Sequence, residues 1–119
     1  MATSTIQAER TLLWTNPNPT SNFSPQTITV QDMSPYSYIC FEVGNTSSLC
    51  VNRVISERGK TTSIGYLGKS SGNGPHLMVR EVTYVSNTAL SFSDGAMLWA
   101  PGETSNNDVA IPQKIYGIK

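Results

Sequence analysis

Residues 76–85 read HLMVREVTYV, and the spacing of their apolar side chains decides the fold class. Apolar residues occur in both alternating sets of positions, the first being Leu77, Val79, Thr83 and Val85 and the second Met78, Arg80, Val82 and Tyr84. Successive side chains of a β-strand point to opposite faces of the sheet, so both faces of this strand are at least half apolar. The pattern predicts a strand that lies centrally in a sheet.

A predicted hairpin precedes this strand in the sequence. In residues 37–43 every second side chain from Ile39 to Val43 is apolar, which indicates a strand with one buried face. Residues 49–55 form a second run of the same kind. The segment 44–47, Gly-Asn-Thr-Ser, joins the two runs with residues that favour a tight turn between antiparallel strands.

Six shorter runs have the length and composition of strands, at 11–15, 26–31, 61–67, 88–93, 96–99 and 109–118. Pro, Gly, Asn and Ser clusters separate them at intervals of about eight to twelve residues. No window shows a helical stripe of apolar residues. The sequence therefore predicts an all-β fold, an antiparallel β-sandwich that is jelly-roll-like and has eight or nine short strands, with a barrel as the alternative.

The chain length fits one domain with one core, since it has 119 residues of which 38% are hydrophobic. Residues 1–8 are polar and lack periodicity, so we expect a flexible N-terminal arm followed by a single β-sandwich domain at 9–119. The segment 68–75, GKSSGNGP, has no apolar anchor and is expected to form a mobile loop tip. Residues 106–108 mark a second loop.

The charge balance narrows the class of partner. Eight Lys and Arg residues balance eight Asp and Glu residues, whereas binding to a phosphate backbone needs a clustered positive excess. No segment approaches the roughly 20 apolar residues that cross a membrane, and the N-terminus lacks the order of a secretory signal. We expect neither nucleic-acid binding nor membrane insertion. Ser, Thr and Asn make up 37 of the 119 residues, a composition typical of extracellular or virion β-proteins.

The sequence offers little for catalysis. His76 is the only histidine, so a general base or a zinc site would depend on it. It follows Pro75 at a predicted strand start, where we expect it to be exposed or at the rim. The acidic residues are scattered singly, which indicates neither a calcium loop nor a carboxylate pair of the glycosidase type. We predict a protein that is not an enzyme and holds no cofactor or metal.

The two cysteines, Cys40 and Cys50, lie on the two arms of the predicted hairpin. A turn near Asn45 brings them close enough for a cross-strand disulfide to be considered. A two-residue loop at 45–46 instead places Cys40 opposite Val51 and turns the thiols to opposite faces of the sheet. Folding in a reducing cytosol favours buried thiols, and the sequence leaves both states open.

The aromatic residues give the clearest indication of a ligand. An aromatic face beside hydroxyl and amide groups suits a neutral sugar, so Trp14 and Trp99 are candidates for sugar contacts. Both follow pairs of apolar residues, and packing in the core or at a subunit interface is the alternative. The residues expected to contact a ligand or partner are Trp14, Trp99, Tyr116, Asn73, His76, Asn106 and Asn107.

Three segments carry a family resemblance. They are 12–20, LLWTNPNPT, then 23–30, FSPQTITV, and the closing 112–119, PQKIYGIK. Together they resemble small phage virion domains, namely the tip modules of tail-fibre and baseplate proteins, and related fibre-like products, of phages and prophages that infect gut bacteria. The resemblance covers most of the chain from about Arg10 onward, as a pattern of strand openings.

The resemblance implies a β-sandwich knob that commonly trimerises and is displayed on the virion. Such a knob touches a bacterial surface polysaccharide or another virion protein and has no enzymatic activity. The expected function is therefore a structural or host-recognition component of a tail fibre, baseplate or capsid-decorating fibre. The alternative is a bacterial carbohydrate-binding module or adhesin domain.

Overall fold

The computed structural model describes residues 10–45, 48–55, 59–70, 74–99 and 102–119, so the expected arm at 1–8 lies outside the described residues. Within these ranges the chain forms nine strands and no helix. They are β1 (Arg10–Thr15), β2 (Gln26–Thr29), β3 (Tyr38–Asn45), β4 (Ser48–Ile55), β5 (Thr61–Ser70), β6 (Gly74–Ser86), β7 (Ala89–Trp99), β8 (Gly102–Ser105) and β9 (Ile111–Ile118).

The strands form two antiparallel sheets that pack face to face. The four-stranded sheet has the order β1-β9-β3-β4, and the five-stranded sheet has the order β2-β7-β6-β5. β8 also pairs with β7. Because β6 occupies the other edge of β7, β2 and β8 lie end to end along one edge. The predicted all-β antiparallel sandwich is confirmed.

The chain passes from one sheet to the other after β1, β2, β4 and β8. β9 lies between β1 and β3, and β2 pairs with β7, so strands from the two ends of the chain are neighbours in both sheets. The antiparallel sandwich is thus shown, while the jelly-roll-like winding stays a prediction. The hairpin β3-β4 and the run β5-β6-β7-β8 each stay within one sheet.

The core lies between the two sheets. β3 contributes Ile39, Phe41 and Val43, which are at most 1% exposed, as the alternating pattern predicts. β6 contributes Met78 and Val82 and lies between β5 and β7, which confirms the predicted central strand. Burying each such side chain contributes about 1.5–3 kcal/mol, so the facing sheets hold each other in place.

The predicted strands at 88–93 and 96–99 are one strand, β7. The pairing with β6 shifts register between Arg80 and Val82, where β7 carries an extra residue. This bulge absorbs Ser93 and Asp94, after which pairing resumes. The four-residue strand β8, which the sequence pattern did not indicate, then pairs with the end of β7.

The prediction of a loop at 68–75 is wrong at both ends. β5 continues to Ser70 and β6 begins at Gly74, with Gly68 paired to His76 and Ser70 to Gly74. The pairing of β5 with β6 extends the hairpin because backbone hydrogen bonds do not require apolar side chains. The remaining tip, 71–73, lies outside the described residues.

The β3-β4 hairpin is confirmed, with a register different from the expected one. Cys40 lies opposite Arg53 rather than Val51, and Cys50 lies opposite Val43. The two cysteines are therefore three positions apart in the ladder, about 10 Å along the strand. A disulfide needs Cα atoms within about 7 Å, so this register is incompatible with a bridge between them.

Candidate functional site

A concavity opens at one side of the sandwich, where the edge strands β1 and β2 of the two sheets lie near each other. Its volume is about 270 Å³. We call it the Trp14 concavity, and its lining consists of Trp14, Asn16, Pro17, Asn18, Asn22, Phe23, Gln26, Ile28 and Thr29. The segment between β1 and β2 supplies most of these residues, so the concavity depends on how that segment is held.

Trp14 reaches the concavity because β1 is irregular. Leu12 pairs with Tyr116 and Trp14 with Ile115, so Leu13 is an extra residue in the ladder. The bulge places Leu13 and Trp14 against the core, with Leu13 buried. The Trp14 ring contacts Phe23 edge-on, with centroids 6.4 Å apart, and remains half-buried. Part of the indole is therefore accessible from the concavity.

Asn16 fixes the rim behind Trp14. Its side-chain amide donates to the Pro112 carbonyl at 2.8 Å, and its Oδ1 accepts from the Asn18 backbone N–H at 2.8 Å. Its own backbone N–H donates to the Gln113 carbonyl at 2.8 Å. The Gln113 side chain in turn donates to the Pro19 carbonyl. These bonds join the segment to β9, so the rim is a rigid part of the domain.

Amide groups form the polar side of the Trp14 concavity. Asn22 Nδ2 donates to Asp108 Oδ1 at 3.3 Å, and Gln26 Nε2 donates to the Ser24 carbonyl at 3.0 Å. Among the described residues the amide oxygens of both side chains carry no hydrogen bond, nor does the exposed amide of Asn18. An aromatic face beside neutral amide groups suits a polyhydroxylated, uncharged ligand.

A buried arginine, Arg80, lies behind the concavity and contacts Phe23 in its lining. Arg80 is 1% exposed, and its guanidinium lies over the Phe23 ring at 5.1 Å. It donates at 2.7–3.4 Å to five backbone carbonyls, those of Phe23, Ser93, Asn107, Val109 and Ala110. Burial lowers the pKa of Arg80 to about 10, and the negative charge of Asp94 opposes that shift. The guanidinium thus remains charged at neutral pH and ties three segments together.

The sequence pattern carries a signal that Arg80 is buried, although Arg80 was not among the predicted functional residues. Arg80 alternates in phase with Met78 and Val82, the two apolar residues of the same face. A charged residue in the buried phase of a strand needs several internal hydrogen bonds, since an unpaired buried charge is costly. The partners are backbone carbonyls, which no residue type in the sequence identifies.

Asn106 and Asn107 lie beside the β7 bulge. Asn107 Oδ1 accepts from the Gly95 N–H at 2.9 Å, and Asn107 Nδ2 donates to Asp94 at 3.3 Å. Asn106 Oδ1 accepts from the Asp108 N–H at 2.9 Å, and its backbone N–H donates to the Gly95 carbonyl. Both amides are therefore engaged in shaping the loop, and a ligand contact by either stays a prediction.

The other expected contact residues are distributed over the molecule. Tyr116 is half-buried on the outer face of the four-stranded sheet, beneath the Arg10 guanidinium at 4.3 Å from the ring centroid. It lies on the face opposite to Trp14, because Trp14 pairs with the inward Ile115. Asn73 and the side chain of Trp99 lie outside the described residues.

The expectation that His76 is exposed or at the rim is wrong. His76 is 3% exposed. It is two residues before Met78 and so points to the inner face of β6, and the continued β5 pairs with it through Gly68. The side chain belongs to the interior of the sandwich.

In the part of the chain that the structure describes, no group of three or more His, Cys, Asp or Glu side chains is arranged to hold a metal ion. The same part of the chain likewise contains no helix with the length and apolarity to span a bilayer.

No family model, no curated protein and no solved structure matches this chain.

Proposed function

We propose that the protein is a non-enzymatic recognition domain that binds a neutral glycan in the Trp14 concavity. The observation that carries this proposal is the partly exposed Trp14, which lines the concavity beside a hydrogen-bonded rim with neutral amide groups. Stacking on the indole supplies apolar contact to one face of a sugar ring, and the amides of Asn18, Asn22 and Gln26 exchange hydrogen bonds with its hydroxyls.

The size of the concavity sets the expected affinity. Its volume of about 270 Å³ is below the roughly 300 Å³ at which pockets for drug-sized ligands begin, so it accommodates a short piece of a polymer rather than a long chain. One such site binds weakly. Repeated sugars presented to several copies of the protein raise the overall strength by avidity.

A virion is the setting we propose for this domain. The three segments that resemble phage tip modules include Trp14 and the segment that builds the concavity. A trimeric knob of a tail fibre, baseplate or capsid-decorating fibre presents three such sites to a bacterial surface polysaccharide. The same geometry also suits a bacterial carbohydrate-binding module or adhesin, and the location of the protein separates the two settings.

The binding proposal is tested with Trp14→Ala on an array of bacterial surface polysaccharides, followed by titration calorimetry. Wild type is expected to bind at least one neutral glycan, and Trp14→Ala to lose most of that binding because the stacking surface is removed. Val85→Ala is the control, since Val85 is an exposed apolar residue of β6 and does not line the concavity. Equal binding by wild type and Trp14→Ala, with unchanged unfolding midpoints, contradicts the proposal.

The location proposal is tested by immunogold labelling of particles released from the producing bacterium. Gold on tail or capsid structures supports the virion setting. Gold restricted to the bacterial surface contradicts it and favours the adhesin.

A further inference from the structure

A row of leucines crosses the outer face of the five-stranded sheet. Leu67 of β5 pairs with Leu77 of β6, and Leu77 pairs with Leu98 of β7. Leu67 is 71% exposed, Leu77 is 46% exposed, and Leu98 is half-buried. Three adjacent leucines on neighbouring strands form one continuous apolar surface, unlike single exposed apolar residues, and such surfaces mark sites of association.

Carboxylates surround a hollow beside this leucine row. The hollow has a volume of about 380 Å³ and small side chains such as Ser63, Ala96 and Ser105 along its lining. Glu81, Asp94 and Glu103 line it too, and all three are exposed. The one cation in its lining is Arg80, whose guanidinium is bound to carbonyls inside the domain. Among the side chains that the structure describes, this face is apolar towards the β5-β6 hairpin tip, and the exposed charged groups beside the leucine row are carboxylates.

On the outer face of the four-stranded sheet, the most exposed charged groups among the described side chains have the opposite sign. Leu12 and Tyr38 are exposed there at 44% and 40%, on either side of half-buried Tyr116. Arg10 and Lys114 are exposed on the same face. The face also holds Glu42, which is 4.0 Å from Arg10 and less exposed than it. Among the described side chains of this face, the apolar group adjoins Arg10 and Lys114, and both cations are more exposed than Glu42.

We propose that these two faces bind each other between copies of the chain, so that the leucine row of one copy packs against Leu12, Tyr38 and Tyr116 of the next. Apolar surface meets apolar surface, and Glu81, Asp94 and Glu103 approach Arg10 and Lys114. A symmetric pairing of two leucine rows would instead bring six carboxylates together, which like-charge repulsion disfavours. The contact is therefore heterologous, head to tail, and it closes into a ring when the rotation permits.

The area available predicts an interface of modest strength. Four strands about 4.8 Å apart and eight residues long give the smaller face, the four-stranded sheet, roughly 500 Å². Two partners together bury about 1,000 Å², the lower limit for a specific protein interface. Association is therefore expected to depend on protein concentration. The proposal is independent of the glycan site, because the Trp14 concavity lies at the side of the sandwich.

The first test is light scattering of the full chain over a wide range of concentrations. Wild type is expected to grow in mass with concentration, and Leu67→Glu/Leu77→Glu to raise the concentration for half-association by about tenfold or more. Val85→Glu is the matched control, an exposed valine on β6 about 26 Å along the strand from Leu77. Its association is expected to equal that of wild type. A wild type that stays monomeric throughout overturns the proposal.

The second test reverses the charge of each face separately. Glu81→Lys/Glu103→Lys and Arg10→Glu/Lys114→Glu are each expected to be monomeric and to remain folded, with the β-sheet circular dichroism of wild type. Mixed in equal amounts, they are expected to associate again, because each reversed face then meets its complement. Failure of the mixture to associate overturns the head-to-tail contact, as does association of either variant alone at wild-type strength. Glycan binding measured on the monomeric variants shows separately whether the Trp14 concavity functions.

Discussion

Arg80 places a positive charge in the middle of the sandwich, and the backbone compensates it. A guanidinium has five N–H donors in a planar fork, and Arg80 uses them on five carbonyls from three separate segments. Lysine has three donors around one point charge and does not reproduce this geometry. The residue therefore acts as a fixed junction between β6, the β7 bulge and the segment that carries Phe23.

The first prediction concerns Arg80→Met, which keeps much of the volume and removes all five bonds. We expect the free energy of unfolding to fall by about 3–5 kcal/mol, because buried carbonyls lose their donors. Denaturant unfolding followed by tryptophan fluorescence measures it. Arg10→Met is the control, since Arg10 is exposed and its loss is expected to cost about 1 kcal/mol or less. A similar cost for both variants contradicts a junction role.

Single residues show what the sequence pattern can and cannot reveal. The alternation that placed Ile39, Phe41 and Val43 in the core is local, and the structure confirms it. The same alternation puts Arg80 and His76 in phase with the buried Met78, yet His76 was expected at the surface. The hydrogen-bond partners that make burial of Arg80 tolerable come from distant segments. Trp14, a candidate for a sugar contact, lines a concavity, and the contact itself stays a prediction. The position of Trp14 depends on a bulge that leaves no trace in composition.

At the scale of elements, the β7 bulge positions the loop between β8 and β9. The Gly95 N–H donates to Asn107 Oδ1, and the Gly95 carbonyl accepts from the Asn106 N–H. A Cβ at this position would lie 2.8 Å from both Arg80 Nη2 and the Val109 carbonyl oxygen, and closer still to the Asn106 carbonyl oxygen. Glycine is therefore required here by close packing.

The second prediction is that Gly95→Ala displaces this loop and weakens the Arg80 junction. We expect a loss of at least about 2 kcal/mol in the free energy of unfolding, as for overpacking against backbone atoms. Gly59→Ala is the comparison, because a Cβ there meets nothing within 4 Å and the cost comes only from its positive φ of 78°. That cost is about 1–2 kcal/mol. A smaller loss for Gly95→Ala than for Gly59→Ala contradicts the packing argument.

The third prediction follows from the register of the β3-β4 hairpin. Cys40 and Cys50 are three positions apart, so oxidation of the folded protein is expected to form no bridge between them. Denaturation in iodoacetamide without reductant, followed by mass spectrometry, is expected to show two alkylated cysteines per chain. An intramolecular disulfide in that experiment contradicts the register.

The existence of a strand was easier to predict from the sequence than its first and last residues. The hairpin, the central strand and the turn positions follow from alternation and from Gly and Pro. The joining of two predicted strands into β7 could not be predicted, because a bulge interrupts alternation without ending the pairing. The extension of β5 and β6 was missed for a related reason, since polar residues continue a ladder through their backbone alone.

At the scale of the whole molecule, the two outer faces of the sandwich and the Trp14 concavity occupy different parts of the surface. Among the described side chains, the exposed charges beside the apolar groups of the two outer faces differ in sign, and the Trp14 concavity opens between the edge strands β1 and β2. A domain built this way can associate through its faces and still present its concavity to a ligand. Which charged residues share a face depends on the tertiary structure. The net charge of zero in the sequence gives no indication of such a distribution.

The most direct test of the account is a nuclear magnetic resonance titration of isotopically labelled protein with the glycan that binds best on the array. We predict saturable shifts of the Trp14 indole N–H and of the side-chain amides of Asn18, Asn22 and Gln26, with the outer faces of both sheets unaffected. Shifts confined to an outer face, or none at any of these four side chains, would contradict a glycan site in the Trp14 concavity.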